Sequence, residues 1–521
     1  MTKTNDRGRD CDHPHADLLD HYSFIIASNR GPVTLNLEGG ELEYQRGGGG
    51  LVTALTALAN QIEAAWFASA MSETDRQWGA GQVPLGDDSS IQVKFVDVDE
   101  AAYNRYYNVI TNPLLWFLQH SMWDYVHAPT LTRETWEAWE KGYVTVNQQF
   151  ADAIAQQIKR NARPSIVMLQ DYHLYLAPAM IHKRIRSRKK YLLTHFVHIP
   201  FPGPDDWEVL PEPMRTAILE GLCQVDLLGF QTRNHALNFI RSCENFVPKA
   251  RVNYRLGRVI LRHHATYARD FPISIDPNGL RVQAATEEVE LYRQLLQEQT
   301  GDLRLILRID RTEPSKNIVR GFQAYEEMLE LHPEHCGQVQ FLAIMVPSRL
   351  EVEEYQTYLD EIMAAAGRVN ARYGTSEWEP VRVLVGESYP RAIAAMQLYD
   401  VLLVNPIADG MNLVAKEGPV VNQHDGVLVL SERAGASQQL GDHALLIAPC
   451  DVYATAQALH QALTMPGEER RQRAASLRQA VEEADIERWF CWQLDEVERL
   501  IQLRRDPSGK AAASDEKGSR W

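Results

Sequence analysis

Tyr399–Gly418 reads YDVLLVNPIADGMNLVAKEG. Its apolar run, Val401–Val404, lacks the polar alternation of a half-exposed strand, which suits a parallel strand covered on both faces. The run breaks at Asp409-Gly410, where a glycine lets the backbone turn tightly, and it resumes at once as a helical stretch carrying Lys416 and Glu417. Free N–H groups at a helix start favour an anion, so the turn Asp409-Gly410-Met411-Asn412-Leu413 suits a diphosphate. Glu417, one turn further along, is then placed to accept hydrogen bonds from ribose hydroxyls. The same residues serve equally well as a plain strand-to-helix turn with a solvated Lys416–Glu417 pair.

Outward from this segment, short apolar runs alternate with longer amphipathic ones almost throughout. YSFIIASN, PSIVMLQ, YLLTHFVHI, VDLLGFQ, LRLILRID, VQFLAIMV, VRVLVG, DVLLVN and GVLVLSE read as buried strands, with helical patterns such as NIVRGFQAYEEMLELHP and PRAIAAMQLY between them. The chain is therefore expected to be α/β, with parallel sheets. A seam falls near ARDFPISIDPNGL, where two prolines and a glycine separate two strand series. The expected architecture is two doubly wound, Rossmann-like lobes facing across a cleft, one over residues 21–270 and one over 271–482. An amphipathic helix over 483–505 is expected to pack back across the seam. Tails 1–20 and 506–521 read as disordered, being poor in bulky apolar residues.

At 521 residues, with 45% hydrophobic and 23% charged residues, the chain is long enough for separate cores. Its net charge of −16 argues against nucleic-acid and membrane partners and requires that any anionic ligand meet a local cluster of cations. The six cysteines are scattered without a CxxC pair, and the first residues carry no apolar leader, so a reducing cytoplasm is the expected compartment. Cys11, His13 and His15 offer metal-ligand chemistry, but a tail is the simpler account. A homo-oligomer is allowed for; nothing in the sequence sets its order.

In open α/β sheets ligands bind beyond the carboxyl ends of strands. After LRLILRID comes RTEPSKN, in which Arg311 and Lys316 flank a proline turn and can neutralise charge on a departing phosphate. Taken alone, that turn reads first as a solvated surface loop. Gly47–Gly50 precede a helical run and allow close backbone approach to a ligand, yet they lack the closing Lys-Ser/Thr of a P-loop, and a flexible loop explains them equally. Asp171 and His173 end one strand and His198 ends the next. No dense set of metal ligands accompanies them, so they read as hydrogen-bonding groups with no metal. FVDVDEAA superficially matches a phosphatase Asp-x-Asp loop, but Ala101 and Ala102 stand where a hydroxyl belongs. No GxSxG marks a serine hydrolase.

Together these stretches resemble the trehalose-6-phosphate synthase family, glycosyltransferase family 20. The match is residue for residue over DGMNLVAKE, Asp409–Glu417. It is supported by SNR (28–30), GGL (49–51), YYN (106–108), LW (115–116), DYHL (171–174), HIPFP (198–202), DLLGFQT (226–232) and PSR (347–349). The resemblance implies a GT-B fold and a retaining, metal-independent transfer without an enzyme nucleophile, by front-face attack in which the leaving phosphate takes the acceptor proton. It implies that Arg311 and Lys316 hold the donor diphosphate with the backbone at Gly50, Gly410, Met411, Asn412 and Leu413. Glu417 would bind the ribose, and Asp409 and His198 the transferred glucose. Arg30, Tyr107 and Arg349 would grip the acceptor phosphate, and Trp116 and Asp171 would face the acceptor sugar. His198, Arg311, Lys316 and Asp409 form the implied catalytic set.

The implied reaction moves glucose from a nucleotide-glucose to glucose 6-phosphate, giving α,α-trehalose 6-phosphate. UDP-glucose or GDP-glucose is the expected donor, ADP-glucose staying open, and no cofactor is expected. The departures bear on specificity. WFASAMSETDR replaces the family's WFGWSG, putting Ser69 near a tryptophan position, and RTEPSKN and NPLLWFLQH match a subgroup that includes cyclitol-joining pseudo-glycosyltransferases. Glycerol phosphate or an aminocyclitol phosphate is therefore the alternative acceptor, and a catalytically silent, sugar-phosphate-binding regulatory homologue is the alternative class.

Overall fold

The computed structural model of the chain describes residues 15–38, 41–46, 64–84, 90–349 and 352–505. They form two compact units. The first comprises the chain up to Leu115, Pro129–Phe271 and the chain from Ile486; the second comprises Trp116–Ala128 and Pro272–Asp485. Ser28, Arg30 and Asp171 therefore belong to the first unit. Trp116 groups with the second, although it precedes the seam by more than a hundred residues.

The second unit is built on a six-stranded sheet in the order Val381–Val385, Val339–Val346, Arg304–Arg311, Val401–Val404, Val427–Ser431, Leu445–Ile447. Every pair is parallel. In chain order this is 3-2-1-4-5-6, so the winding reverses between Arg304–Arg311 and Val401–Val404. That is the point at which open α/β sheets bind ligands. The strands are apolar without alternation because helices cover both faces. Helix Ile318–Leu331 buries Ile318, Phe322, Tyr325, Met328 and Leu329, spaced at helical period, against Ile306 and Phe341 of the sheet and Leu459 of helix Val452–Thr464. Each such side chain contributes about 1.5–3 kcal/mol of burial.

The first unit carries a ten-stranded sheet. Its parallel part runs His264–Asp270, Leu227–Phe230, Tyr191–Val197, Ser165–Gln170, Ser23–Ala27, Ala64–Ser69, Ser90–Val96. The winding again reverses, here between Ser23–Ala27 and Ser165–Gln170. Antiparallel strands Arg251–Asn253 and Arg258–Leu261 close one edge and Ala80–Pro84 the other. Helix Ile486–Arg505 returns to this unit: Trp489 Nε1 donates to Phe271 O at 3.1 Å, Arg269 Nε pairs with Glu496 at 2.8 Å, and Arg504 Nη1 donates to Tyr191 O at 2.9 Å.

All nine apolar runs are strands, and all are parallel. Part of the stretch expected as a disordered tail is ordered: Ala16–His21 is helical, Leu18 is buried and His15 Nδ1 lies 2.9 Å from Glu498 Oε1. Residues 1–14 and 506–521, the rest of the expected tails, lie outside the described residues.

Candidate active site

In the second unit the two loops that leave the switch point are tied to each other. Ile407 N donates to Ser315 O at 2.8 Å, and Asn317 Nδ2 donates to Asn405 O at 3.0 Å and Pro449 O at 2.6 Å. Asn317 takes a left-handed φ of 59°, which lets the chain turn from the Pro314–Lys316 turn into the helix. Lys316 is thereby held with its Nζ 2.5 Å from Asp409 Oδ2. Burial works against the Lys316 charge, but Asp409, Asp310 and Glu313 outweigh it and raise its pKa; burial likewise works against the Asp409 carboxylate, and Lys316 outweighs it. Both groups are charged, and the ammonium stands at the switch point.

Beneath them Arg308, fully buried, bonds Asp310 at 2.8 Å and reaches the carbonyl of Lys316. Gly321 leaves room for it, since a Cβ there would come within 2.4 Å of the guanidinium.

The turn after Asp409 has the character that the sequence suggested. Asn412 adopts a φ of 73° and its Nδ2 donates to Asp409 Oδ2 at 3.2 Å. Helix Val414–Val421 then begins, and among the described residues the amides of Gly410, Met411, Asn412 and Leu413 have no protein acceptor. A short run of unsatisfied N–H groups beside an ammonium has the chemistry to take an anion. The turn is braced from behind by Gly435, whose N donates to Asp409 O at 3.1 Å. A Cβ on Gly435 would lie 1.8 Å from Gly410 O. Gly435→Ala is accordingly expected to cost about 1–3 kcal/mol of stability and to weaken nucleotide binding, read by thermal melting and calorimetric titration. An unchanged melting curve would mean that this turn is freely deformable.

Arg311 is exposed and pairs with Glu313 at 3.1 Å; Arg349, at a φ of 49°, lies 3.5 Å from the same carboxylate. Burial opposes ionisation of Glu313, yet Arg311, Arg349, Lys316 and His120 together bring its pKa down to about 2. Arg349 also donates to Tyr355 Oη at 2.5 Å and sits 5.2 Å above the Trp116 ring. Trp116 stacks on His120, whose Nδ1 is 2.7 Å from Trp116 O and whose pKa burial lowers to about 4. Trp116 and Arg349, far apart in sequence, are brought together.

Lys416 and Glu417 are not a solvated pair. Lys416 is fully buried and donates to Ile273 O at 2.7 Å, and burial brings its pKa down to about 7. Glu417 instead accepts from Tyr389 Oη at 3.3 Å; burial pushes its pKa up to about 7, the tyrosine only partly offsetting this. A carboxyl raised above its usual 4.5 costs the fold nothing below that pH, and it destabilises increasingly as pH climbs to about 7. Glu417→Gln is therefore expected to gain melting temperature relative to the parent as pH rises from 4.5 to 7. A difference that does not change with pH would place the Glu417 carboxylate in water.

In the first unit the switch point is likewise populated. Arg30 follows Ser23–Ala27, is exposed, and its Nη2 donates to Tyr107 Oη at 3.5 Å. Tyr107 lies on the π-helix Arg105–Leu115 and stacks on Tyr103 at 5.6 Å. Asp171, at a φ of 66°, follows Ser165–Gln170 and its Oδ1 accepts the amide of His198 at 3.2 Å. His198 Nε2 is 3.0 Å from Gln170 Oε1; burial and the neighbouring His195 lower its pKa to about 3, so it is neutral. Ser69 is fully buried and donates to Asn29 Oδ1 at 3.1 Å, next to Arg30. Gly50 lies outside the described residues.

Four supporting residues escaped the sequence reading: Arg308, Glu313, His120 and Gly435. Glu313 and Arg308 flank Arg311 and carried a signal, a charged residue inside an apolar strand for Arg308 and just past its end for Glu313. Gly435 braces a turn remote in sequence and carried none, whereas His120 meets Trp116 one helical turn before it, a local spacing that could have marked it.

The sequence profile of glycosyltransferase family 20 matches residues 22–499. A trehalose-6-phosphate synthase of Salmonella arizonae is 34% identical over 478 residues, covering 89% of this chain and 95% of the relative. An E. coli structure bound with UDP-2-fluoro glucose superposes with a TM-score of 0.79 at 29% identity, over 91% of this chain and 98% of that one. The UDP-forming α,α-trehalose-phosphate synthase of Burkholderia xenovorans, solved in complex with glucose-6-phosphate, gives 0.77 at 26% identity, over 92% of this chain and all (100%) of that one.

Proposed function

Since the chain belongs to glycosyltransferase family 20, we propose that it transfers glucose from UDP-glucose to glucose 6-phosphate, releasing UDP and forming α,α-trehalose 6-phosphate. The observation that carries this reading is the Lys316–Asp409 pair set beside the acceptor-free amides of Met411–Leu413 at the switch point of the second sheet. Such a site is made to take the charge of a leaving diphosphate.

In this reading the second unit holds the nucleotide-sugar. Arg311, Lys316 and the amides from Gly410 to Leu413 bind the diphosphate, with Gly50 approaching it; Glu417 binds the ribose, and Asp409 the glucose, as does His198. Neutral imidazole at His198 donates or accepts one hydrogen bond without placing a charge beside the reacting sugar. Arg30, Tyr107 and Arg349 bind the acceptor phosphate, and Trp116 and Asp171 the acceptor sugar. The bond from glucose C1 to the β-phosphate oxygen breaks as the acceptor hydroxyl oxygen bonds to the same face of C1, and the acceptor proton passes to the departing phosphate. Configuration is retained and no side chain is consumed. Cations and amides supply the neutralisation that a metal would otherwise give, so the transfer is metal-independent. Among the described residues no helix is long and apolar enough to cross a membrane; what favours a reducing, cytoplasmic compartment is that Cys223, Cys243, Cys336, Cys450 and Cys491 are free thiols.

Another phosphorylated acceptor is the second reading, and Ser69 favours it, because a small buried hydroxyl stands where the family's tryptophan is expected. Coupled detection of nucleotide release over a panel of acceptors separates the two. Release of UDP that depends on glucose 6-phosphate supports the first reading; release only with glycerol phosphate or an aminocyclitol phosphate would replace it with the second.

A further inference from the structure

The second unit carries a group of imidazoles that the transfer does not use. His332 follows helix Ile318–Leu331, His335 ends the turn Pro333–His335, and His460 lies on helix Val452–Thr464. The turn leads into Val339–Val346, which runs parallel to Arg304–Arg311. The group therefore stands at the strand-opening edge of the sheet, opposite the edge from which Arg311 and Lys316 emerge. Helices Ile318–Leu331 and Val452–Thr464 bury their apolar faces in one core, which brings the histidines together.

His335 Nε2 is 3.0 Å from His460 Nδ1. Glu334 Oε1 is 3.5 Å from His332 Nδ1 and 4.0 Å from His460 Nδ1. Ligand atoms of His332, Glu334 and His460 all lie within 4.8 Å of one another. Donors around a tetrahedral zinc bound at roughly 2.0–2.2 Å stand roughly 3.3–3.6 Å apart, so the spacing is close to that of a coordination sphere. The His332 and His460 rings stack at 3.6 Å, so that one must turn about χ2, a soft torsion, to aim its lone pair at the same point. His332 Nε2 is buried with no hydrogen-bond partner, so the turn breaks no hydrogen bond at that nitrogen.

We propose that His332, Glu334, His335 and His460 form a structural site for one late first-row divalent cation, Zn²⁺ above all. Three imidazole nitrogens and one carboxylate suit zinc, copper or nickel and do not suit Mg²⁺ or Ca²⁺, which take oxygen ligands. Bound there, the ion clips the 332–335 turn to helix Val452–Thr464 and stabilises the folded form by mass action.

The test uses the full chain, dialysed against EDTA and then titrated with Zn²⁺ alone, with Co²⁺ as a visible-absorption probe and Mg²⁺ as a control. One equivalent of Zn²⁺ is expected, with a raised melting temperature, tetrahedral Co²⁺ bands and no response to Mg²⁺. His332→Gln with His460→Gln is expected to remove that equivalent. Glu334→Gln, at an exposed carboxylate whose loss the fold tolerates, should weaken binding by at least the roughly tenfold that even an outer metal partner is worth. Absence of bound Zn²⁺ would overturn the proposal. So would an equivalent that persists undiminished in both variants, as it would if the ion sat at His15, Asp495 and Glu498, the other group of suitable ligands among the described residues.

Discussion

Lys316→Ala is expected to lower kcat by about a hundredfold or more, the order lost when a donor to a developing oxyanion is removed. In the proposed reaction the ammonium acts when the bond to the β-phosphate breaks, because the charge on that oxygen grows in the transition state. The ground-state diphosphate keeps Arg311 and the amides of Met411–Leu413, so the affinity for UDP-glucose should fall much less than turnover. A competing cause needs separating. Lys316 also neutralises the mostly buried carboxylate of Asp409, and stripping one partner from a buried pair costs about 3–5 kcal/mol of stability. Lys316→Ala combined with Asp409→Asn removes the stranded charge. Asp409→Asn alone is the reference, since Asp409 is itself assigned to the glucose: if the double variant regains its melting temperature and is still about a hundredfold slower than Asp409→Asn, the loss is catalytic; if it is no slower than Asp409→Asn, Lys316 served the fold alone. Near-normal turnover in the single variant would place the diphosphate elsewhere.

The second large effect falls on the acceptor. Arg30→Ala is expected to raise the KM for glucose 6-phosphate by roughly ten- to a hundredfold, the worth of one charge-assisted hydrogen bond to phosphate, with kcat little changed. Arg30 is exposed, and its 3.5 Å contact with Tyr107 is long for a hydrogen bond, so its removal should leave stability within about 0.5 kcal/mol. Unphosphorylated glucose makes the comparison decisive. It should react as poorly with the variant as with the parent, since it never had the contact. An acceptor KM that does not move would mean that Arg30 does not bind the acceptor phosphate.

The parallel strands were legible because burial on both faces leaves runs of apolar residues with no alternation, as in Val401–Val404 and Val427–Ser431. Two kinds of strand are among those that escaped notice. Arg251–Asn253, Arg258–Leu261 and Ala80–Pro84 pair antiparallel at the sheet edges, where water on one side permits polar residues. Ala64–Ser69 is fully buried, but Trp66 and Phe67 stand alone among alanines and a serine, a run too short in bulky apolar residues to read as a strand.

Within the proposed site, the residues assigned to ligand contact were the ones that could be picked out in the sequence, since each stands at or just past a strand end and breaks its pattern: Arg30, Asp171, His198, Arg311 and Asp409. What supports them did not. Lys416 and Glu417 are neighbours in sequence, which suggested a pair, yet successive helix positions point about 100° apart. One meets Ile273 O and the other Tyr389. Glu313 draws its two arginines from different strand ends, and Trp116 reaches Arg349 only through the placement of Trp116–Ala128 in the second unit. Such contacts depend on pairing across the fold, and no local pattern encodes them.

The most direct test of the account is a crystal structure of the protein with UDP. The pyrophosphate is expected against the amides of Met411, Asn412 and Leu413, with Lys316 Nζ on a β-phosphate oxygen and both ribose hydroxyls on Glu417. A diphosphate bound away from this turn, with the Lys316–Asp409 pair undisturbed, would contradict it.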